Sequence, residues 1–357
     1  MLLAVRALIL HGPGDLRLDE VPDPRPGPGE LVVEVLAAVT CATDAKMART
    51  GVHPALGPLP APLGHEVAGR VIEVGEGVAW PRLGDEVVVA NSAPCTDCRA
   101  CRAGWPNLCG RMTYLTGAFA ERLRVPAPIT ARNTHPLPAG LAPQVGALAE
   151  PLACALHSAR RAGPVDGRVV LVLGGGFQGR MLAGLLARAG GRVHLADPHP
   201  ERRDAAERAG AERTHDAPRD AGGVAVLRAA LPGGEGADLV VEAVGRPRTW
   251  EMAVALARPG GEVLMHGGCP AGTTVTLPTL AIHYSELTIR GTYHHAPDVF
   301  RAALGLLTNP PFAIADVLED PIRLDQVPQV LRASRGDKHP VMPTINRPSR
   351  PGSASCR

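Results

Sequence analysis

From residue 168 onward, short and almost wholly apolar runs alternate with amphipathic helical ones, and this alternation limits the fold more than any other feature of the chain. RVVLVL leads into GGGFQG and a helical MLAGLLARAG. RVHLAD leads into ERRDAAERAGA, and ADLVVEAVG leads through RTWEMAVALARPG to GEVLMHGG. Strands without polar alternation are buried on both faces, and the helices between them supply the cover. The pattern therefore predicts an α/β domain with a parallel sheet. A chain of 357 residues with 45% hydrophobic content has material for two cores.

The first part of the chain has a different texture. LVVEVLAAV (31–39), VAGRVIEVG (67–75), DEVVVA (85–90) and FAERLRVP (119–126) are short β-type runs separated by Pro/Gly punctuation such as PDPRPGPGE. They predict a β-barrel-like domain over residues 1–148, followed by the α/β domain over 149–289. Residues 290–346 hold a helix APDVFRAALGLL and a strand-like KHPVMPTIN, and are expected to return to the first domain. The tail 347–357 lacks apolar periodicity and is expected to be disordered, Cys356 included. Pro151 falls near a bend or a first helical turn in LAPQVGALAEPLACALH.

Gly174, Gly176 and Gly179 form GxGxxG directly after an apolar strand and open a helix, the context in which the motif binds a dinucleotide. Glycine lets the backbone approach a pyrophosphate, which then sits on the positive end of the helix dipole. The next strand ends in Asp197, placed to accept hydrogen bonds from an adenosine ribose. A carboxylate there repels a 2′-phosphate, so NAD is favoured over NADP.

Cys95, Cys98, Cys101 and Cys109 follow the spacing C-x2-C-x2-C-x7-C. Four thiolates fill every position of a tetrahedral zinc, so such a metal is structural and cannot activate a substrate. A disulfide pair or an iron–sulfur cluster is the alternative. A catalytic metal needs an open position, and CATD (41–44) with GHEVAG (64–69) offers Cys41, His65 and Glu66 as a mixed sulfur, nitrogen and oxygen set. Singly, Cys41 reads equally as a small buried hydrophobe and His65 as a core histidine.

Net charge is +2, which predicts no strong attraction to nucleic acid or to an anionic membrane. No apolar run approaches the roughly 20 residues of a spanning helix. MLLAVRALIL superficially matches a signal peptide, but Arg6 interrupts it and it reads better as a first strand ending at HGPG. A cytoplasmic location is expected, where closely spaced cysteines bind metal. Lys46 and Lys338 are the only lysines. The arginine excess reads as codon bias, not as a phosphate-binding surface.

GHEVAGRVIEVGEGV (Gly64 to Val78), with CATD, the four-cysteine segment, GAFAERLRVP, AEPLACALH, GGGFQG and GADLVVEAVG in that order, resembles the zinc-containing medium-chain alcohol dehydrogenases, in particular their sorbitol/polyol- and threonine-dehydrogenase-like branch. The resemblance runs to about residue 346 and implies a Rossmann doubly wound parallel sheet domain plus a GroES-like β-barrel catalytic domain. It implies two zinc ions per chain: a structural one on the four-cysteine segment, and a catalytic one on Cys41, His65 and either Glu66 or Glu150, both of which the family uses. By the same resemblance, Asp44 accepts a hydrogen bond from the His65 ring, Thr43 touches the substrate oxygen and begins a proton relay, and Arg202 covers the adenine. A homodimer or homotetramer is also implied.

Two departures stand out. Lys46 occupies the position where many alcohol dehydrogenases end the relay in histidine, and Glu150 stands where ethanol-type enzymes carry a third cysteine ligand. The second departure leans towards polyols and secondary alcohols, with hydride moving between the substrate and NAD. Threonine, an aminocyclitol or a primary alcohol as substrate, or an NAD-retaining isomerase or lyase, are the alternatives. The histidine-rich HYSELTIRGTYHHAP (283–297) either lines a cleft for hydroxylated substrates or forms a surface turn; the sequence leaves both open.

Overall fold

The computed structural model describes residues 4–310, 317–334 and 337–343. Cys356, the tail 347–357 and the end of KHPVMPTIN lie outside the described residues.

The apolar runs of the second half form one parallel six-stranded sheet. Its spatial order is Arg213–His215, Arg192–Ala196, Val169–Leu173, Ala237–Glu242, Ala257–Met265, Thr288–Gly291. Counted within the domain this is 3-2-1-4-5-6, the doubly wound order. The order reverses between Val169–Leu173 and Ala237–Glu242, and ligands of such sheets bind in the crevice beyond the carboxyl ends of those two strands. Val170, Leu171 and Val172 are fully buried, as a strand covered on both faces requires.

The first half folds into two larger antiparallel sheets and a two-stranded one, Ser92–Ala93 with Thr113–Tyr114, around a second core. Leu31–Val39 pairs with Val67–Val74 and with Arg122–Val125, while Ala4–Gly12 forms a hairpin with Asp15–Pro22. An isolated bridge between Ala7 and Ala120 links the two sheets.

Pro151 sits in the first turn of the helix Ala149–Ala162, where its missing N–H costs nothing. That helix packs against Pro297–Thr308, and both join the core of the parallel-sheet domain together with Val39, Ala68 and Val88 of the antiparallel one. Further on, Leu324, Val327, Leu331 and Val341 enter the antiparallel core, and Pro340–Val341 adds a strand beside Leu31–Val39. This last crossing carries residue 338 into the cleft between the domains.

Candidate active site

Cys41 ends the loop after Leu31–Val39 and is the N-cap of the helix Ala42–Thr50. Its thiol accepts from the Thr43 amide at 3.5 Å, and its own amide donates to Asp44 Oδ2 at 3.1 Å. The reciprocal cap fixes both side chains. The other oxygen of the fully buried Asp44, Oδ1, lies 2.9 Å from His65 Nδ1. With Nδ1–H donating to Asp44, the lone pair of Nε2 is left for another partner.

Gly64, at φ +93°, precedes His65; a Cβ there would fall 2.6 Å from the Phe119 amide nitrogen. Only glycine lets the chain pass Phe119 and enter the strand Val67–Val74 with His65 and Glu66 directed inward. The donor atoms of Cys41, His65 and Glu66 lie within 4.8 Å of one another. Burial opposes ionisation of Cys41, but the Lys338 ammonium and His65 outweigh it and pull the thiol down to about 6. Burial likewise lowers His65, yet Asp44 and Cys41 hold it well above the usual imidazole range.

Lys338 is the residue that sequence reasoning missed. Its ammonium is buried, donates to Glu66 Oε1 and lies 5.1 Å from the centre of the Phe177 ring. Burial works against its charge, but Cys41 and Glu66 overcome this and hold its pKa above the ordinary lysine value. Glu66 Oε2 is buried and has no hydrogen-bond partner among the described residues. An orphaned carboxylate oxygen beside a thiol and an imidazole fits a bound zinc ion.

Glu150 takes another direction. Its Oε1 accepts from Asn91 Nδ2 at 2.8 Å and lies 3.7 Å from His295 Nε2. The histidine-rich segment divides: Tyr284 is on the surface, whereas His295 is buried and His294 lies 2.6 Å from Ser92 Oγ. Thr43 and Lys46 are half-buried on Ala42–Thr50, with the Lys46 charge within reach of His53 and Cys269.

The four-cysteine segment forms a separate lobe. Its sulfur atoms stand 3.4 Å (Cys95–Cys109), 3.5 Å (Cys98–Cys101) and 3.8 Å (Cys98–Cys109) apart. A disulfide needs about 2.0 Å, whereas a tetrahedron of sulfurs about 2.3 Å from a central zinc has edges near 3.8 Å. Amides of Cys95 and Arg111 donate to Cys109 Sγ, each at 3.3 Å. Asn107 and Trp105 tie the lobe to the rest of the chain through the Tyr293 carbonyl at 2.9 Å and the Arg161 guanidinium.

At the sheet's switch point, Gly176 caps the helix Phe177–Arg188, and a Cβ there would meet nothing within 4 Å. Gly179 packs one turn on, so tightly that its Cβ would lie 1.7 Å from the Gly174 carbonyl oxygen. The buried Asp197 follows Arg192–Ala196; its Oδ2 accepts from the Gly175 amide at 2.7 Å and its Oδ1 from the His199 amide at 2.9 Å. These bonds hold the carboxylate still and leave each oxygen a further lone pair. One cleft of about 470 Å³ is lined by Gly174, Gly176, Asp197 and Arg202 together with Cys41 and Lys338.

Residues 27–139 match the alcohol dehydrogenase GroES-like domain, and residues 179–309 match the zinc-binding dehydrogenase domain. An L-threonine 3-dehydrogenase of Pyrococcus horikoshii is 33% identical over 77% of this chain and 78% of its own length. The chain belongs to the zinc-containing alcohol dehydrogenase family. Like its relatives, this dehydrogenase is an oxidoreductase acting on CH–OH groups. An erythritol/L-threitol dehydrogenase of Mycolicibacterium smegmatis is 32% identical over 85% of the dehydrogenase and 86% of its own length. Among solved structures, a putative zinc-binding dehydrogenase from Sinorhizobium meliloti bound to NADP superimposes with a TM-score of 0.86. It shares 32% identity, covering 96% of this dehydrogenase and all of the other chain. Among the described residues no helix is long and apolar enough to cross a membrane.

Proposed function

We propose that this dehydrogenase oxidises a secondary alcohol or polyol with NAD, using Cys41, His65 and Glu66 to hold the catalytic metal. The reading is carried by the single cleft that joins the glycine turn and Asp197 to Cys41 and Lys338. A dinucleotide laid along it brings its reactive end towards the donor set. Zinc bound there supplies a Lewis acid that makes a substrate hydroxyl acidic.

The side chains divide the remaining work. Asp44 fixes the His65 tautomer, so that Nε2 faces the metal position. Thr43 accepts the proton leaving the substrate hydroxyl and passes it outward. Cys41 and Glu66 together carry two negative charges. Against the two positive charges that a zinc ion would bring, the Lys338 ammonium offsets part of the carboxylate's share, which would favour the deprotonated substrate oxygen. The glycine turn and the positive end of Phe177–Arg188 seat the pyrophosphate, and Arg202 covers the adenine. Asp197 accepts from the ribose hydroxyls and disfavours a 2′-phosphate, hence NAD. Cys95, Cys98, Cys101 and Cys109 hold a second, structural zinc. A cytoplasmic homo-oligomer completes the reading, since free thiolates at both metal sets require a reducing compartment.

The test is an absorbance assay of NADH and NADPH formation with polyols, cyclitols, secondary alcohols and threonine. Reduction of NAD by at least one secondary alcohol or polyol is expected. Exclusive use of NADP, or reduction by primary alcohols alone, contradicts the proposal.

A further inference from the structure

The coenzyme cleft is rich in arginine: Arg202, Arg219, Arg246 and Arg248 all line it. A guanidinium matches a phosphate group in charge and in hydrogen-bond geometry, so such a lining attracts the extra phosphate of NADP unless something opposes it. Arg202 stands beside Asp197. A Cβ built on Gly175 would lie 3.1 Å from the Arg202 Cβ and 3.2 Å from the Asp197 Cβ, so both side chains leave the backbone against the glycine turn. In sheets of this doubly wound order, an arginine near the acidic residue that reads the ribose is the group that takes a 2′-phosphate. Asp197 opposes that phosphate, but its two oxygens already accept from the Gly175 and His199 amides, which offset part of its charge.

A second carboxylate reaches Arg202 from near the other end of the chain. Asp337 Oδ1 lies 3.6 Å from Arg202 Nη2, with the arginine side chain 19% exposed and the aspartate 38%. Arg180, in the first turn of Phe177–Arg188, feels both: burial and Arg202 press its charge down, and Asp337 holds it up. Asp337 is thus a counterion to two arginines of the parallel-sheet domain. Its backbone is clamped to the other domain. Thr40 Oγ1 donates to the Asp337 carbonyl at 3.2 Å and accepts from the His339 amide at 2.9 Å, while the Thr40 amide donates to the His339 carbonyl at 3.0 Å.

We infer that Asp337 is a determinant of coenzyme choice that acts through Arg202. It engages the guanidinium that would otherwise take a 2′-phosphate, and its own charge repels that phosphate, so NADP is refused at Asp337 as well as at Asp197. The 2′-hydroxyl of NAD carries no charge and is not excluded by the pair. The inference rests on the proposed use of NAD. Asp337 touches no reacting atom and is a positioning residue.

The test is fluorescence titration of the full-length protein with NADH and with NADPH, alongside kcat/KM for the two oxidised coenzymes. In Asp337→Asn the ratio of NADPH to NADH affinity should rise about 3- to 10-fold, between the worth of a half-exposed ion pair and that of a new charged hydrogen bond. The rise should come from tighter NADPH binding, vanish when Arg202→Ala is added, and be reversed in Asp337→Glu, which restores the charge. Asp337→Ser should show the same rise if the asparagine variant fails to fold. An unchanged ratio, or equal weakening towards both coenzymes as a merely structural role predicts, overturns the inference. The wild type decides the underlying reading by itself. A wild type that prefers NADPH refutes the use of NAD, whereas an NADH-preferring wild type whose ratio survives Asp337→Asn refutes only the role of Asp337.

Discussion

Replacing Lys338 by methionine keeps an unbranched side chain of similar length and removes one charge. The native ammonium is buried against Glu66, whose side chain has no exposed surface, and Phe177 covers it from another side. Removing one partner of a buried ion pair leaves the other charge uncompensated, at a cost of about 3–5 kcal/mol. Here the strain is distributed, because Cys41 and Glu150 also feel the lysine. The expected loss in urea unfolding is therefore about 3–5 kcal/mol. Adding Glu66→Gln to Lys338→Met removes the stranded charge and should restore at least about half of that loss, a coupling energy in the range seen for neighbours in one network. A loss below about 1 kcal/mol for Lys338→Met, the value of a surface pair, or strict additivity in the double variant, would refute the claim that this pair is dry and mutually dependent.

Further predictions concern the cofactor and the two metal sets. Asp197→Ser removes a charged acceptor from the ribose position and should lower kcat/KM for NAD by about 10- to 100-fold, corresponding to the ~1.5–3 kcal/mol of a charged hydrogen bond. Activity with NADP should hold or rise, and a parallel fall with both cofactors would contradict the assignment. Gly179→Ala forces its new Cβ against the Gly174 carbonyl and should weaken dinucleotide binding, read by fluorescence titration, while costing about 1–3 kcal/mol of stability. Cys98→Ser should release one zinc ion and destabilise the protein, whereas Cys41→Ser should remove turnover with little change in the unfolding midpoint. The reverse pattern would exchange the roles of the two cysteine sets.

Much of this architecture is legible in the sequence, for reasons that differ along the chain. Val169–Leu173 and Ala237–Glu242 read as buried parallel strands because helices cover both of their faces and the residues are almost all apolar. Asp15–Pro22 is harder to see. It is an edge strand with no buried residue, so DLRLDEVP carries little core signal. Arg213–His215 is a three-residue edge with the same difficulty. Within the site, Cys41 and Asp44 are bound by a local helix cap, and local rules reach them. Lys338 lies 272 positions from Glu66, and a charged residue near the chain's end is expected in solvent. The one hint was compositional, since it is one of only two lysines. His294 and His295 approach Ser92 and Glu150 from a turn in which the former sits at positive φ, which no spacing of residues announces.

Hydride transfer from a carbinol carbon to the nicotinamide, in the cleft that Cys41 lines, is the step on which the proposed function turns. Supplying an alcohol deuterated at that carbon, then weighing the recovered coenzyme, tests it most directly. The wild type should return NADH one mass unit heavier, and Cys41→Ser should return none. Unlabelled NADH from the wild type, or labelled NADH at an undiminished rate from Cys41→Ser, would contradict the account.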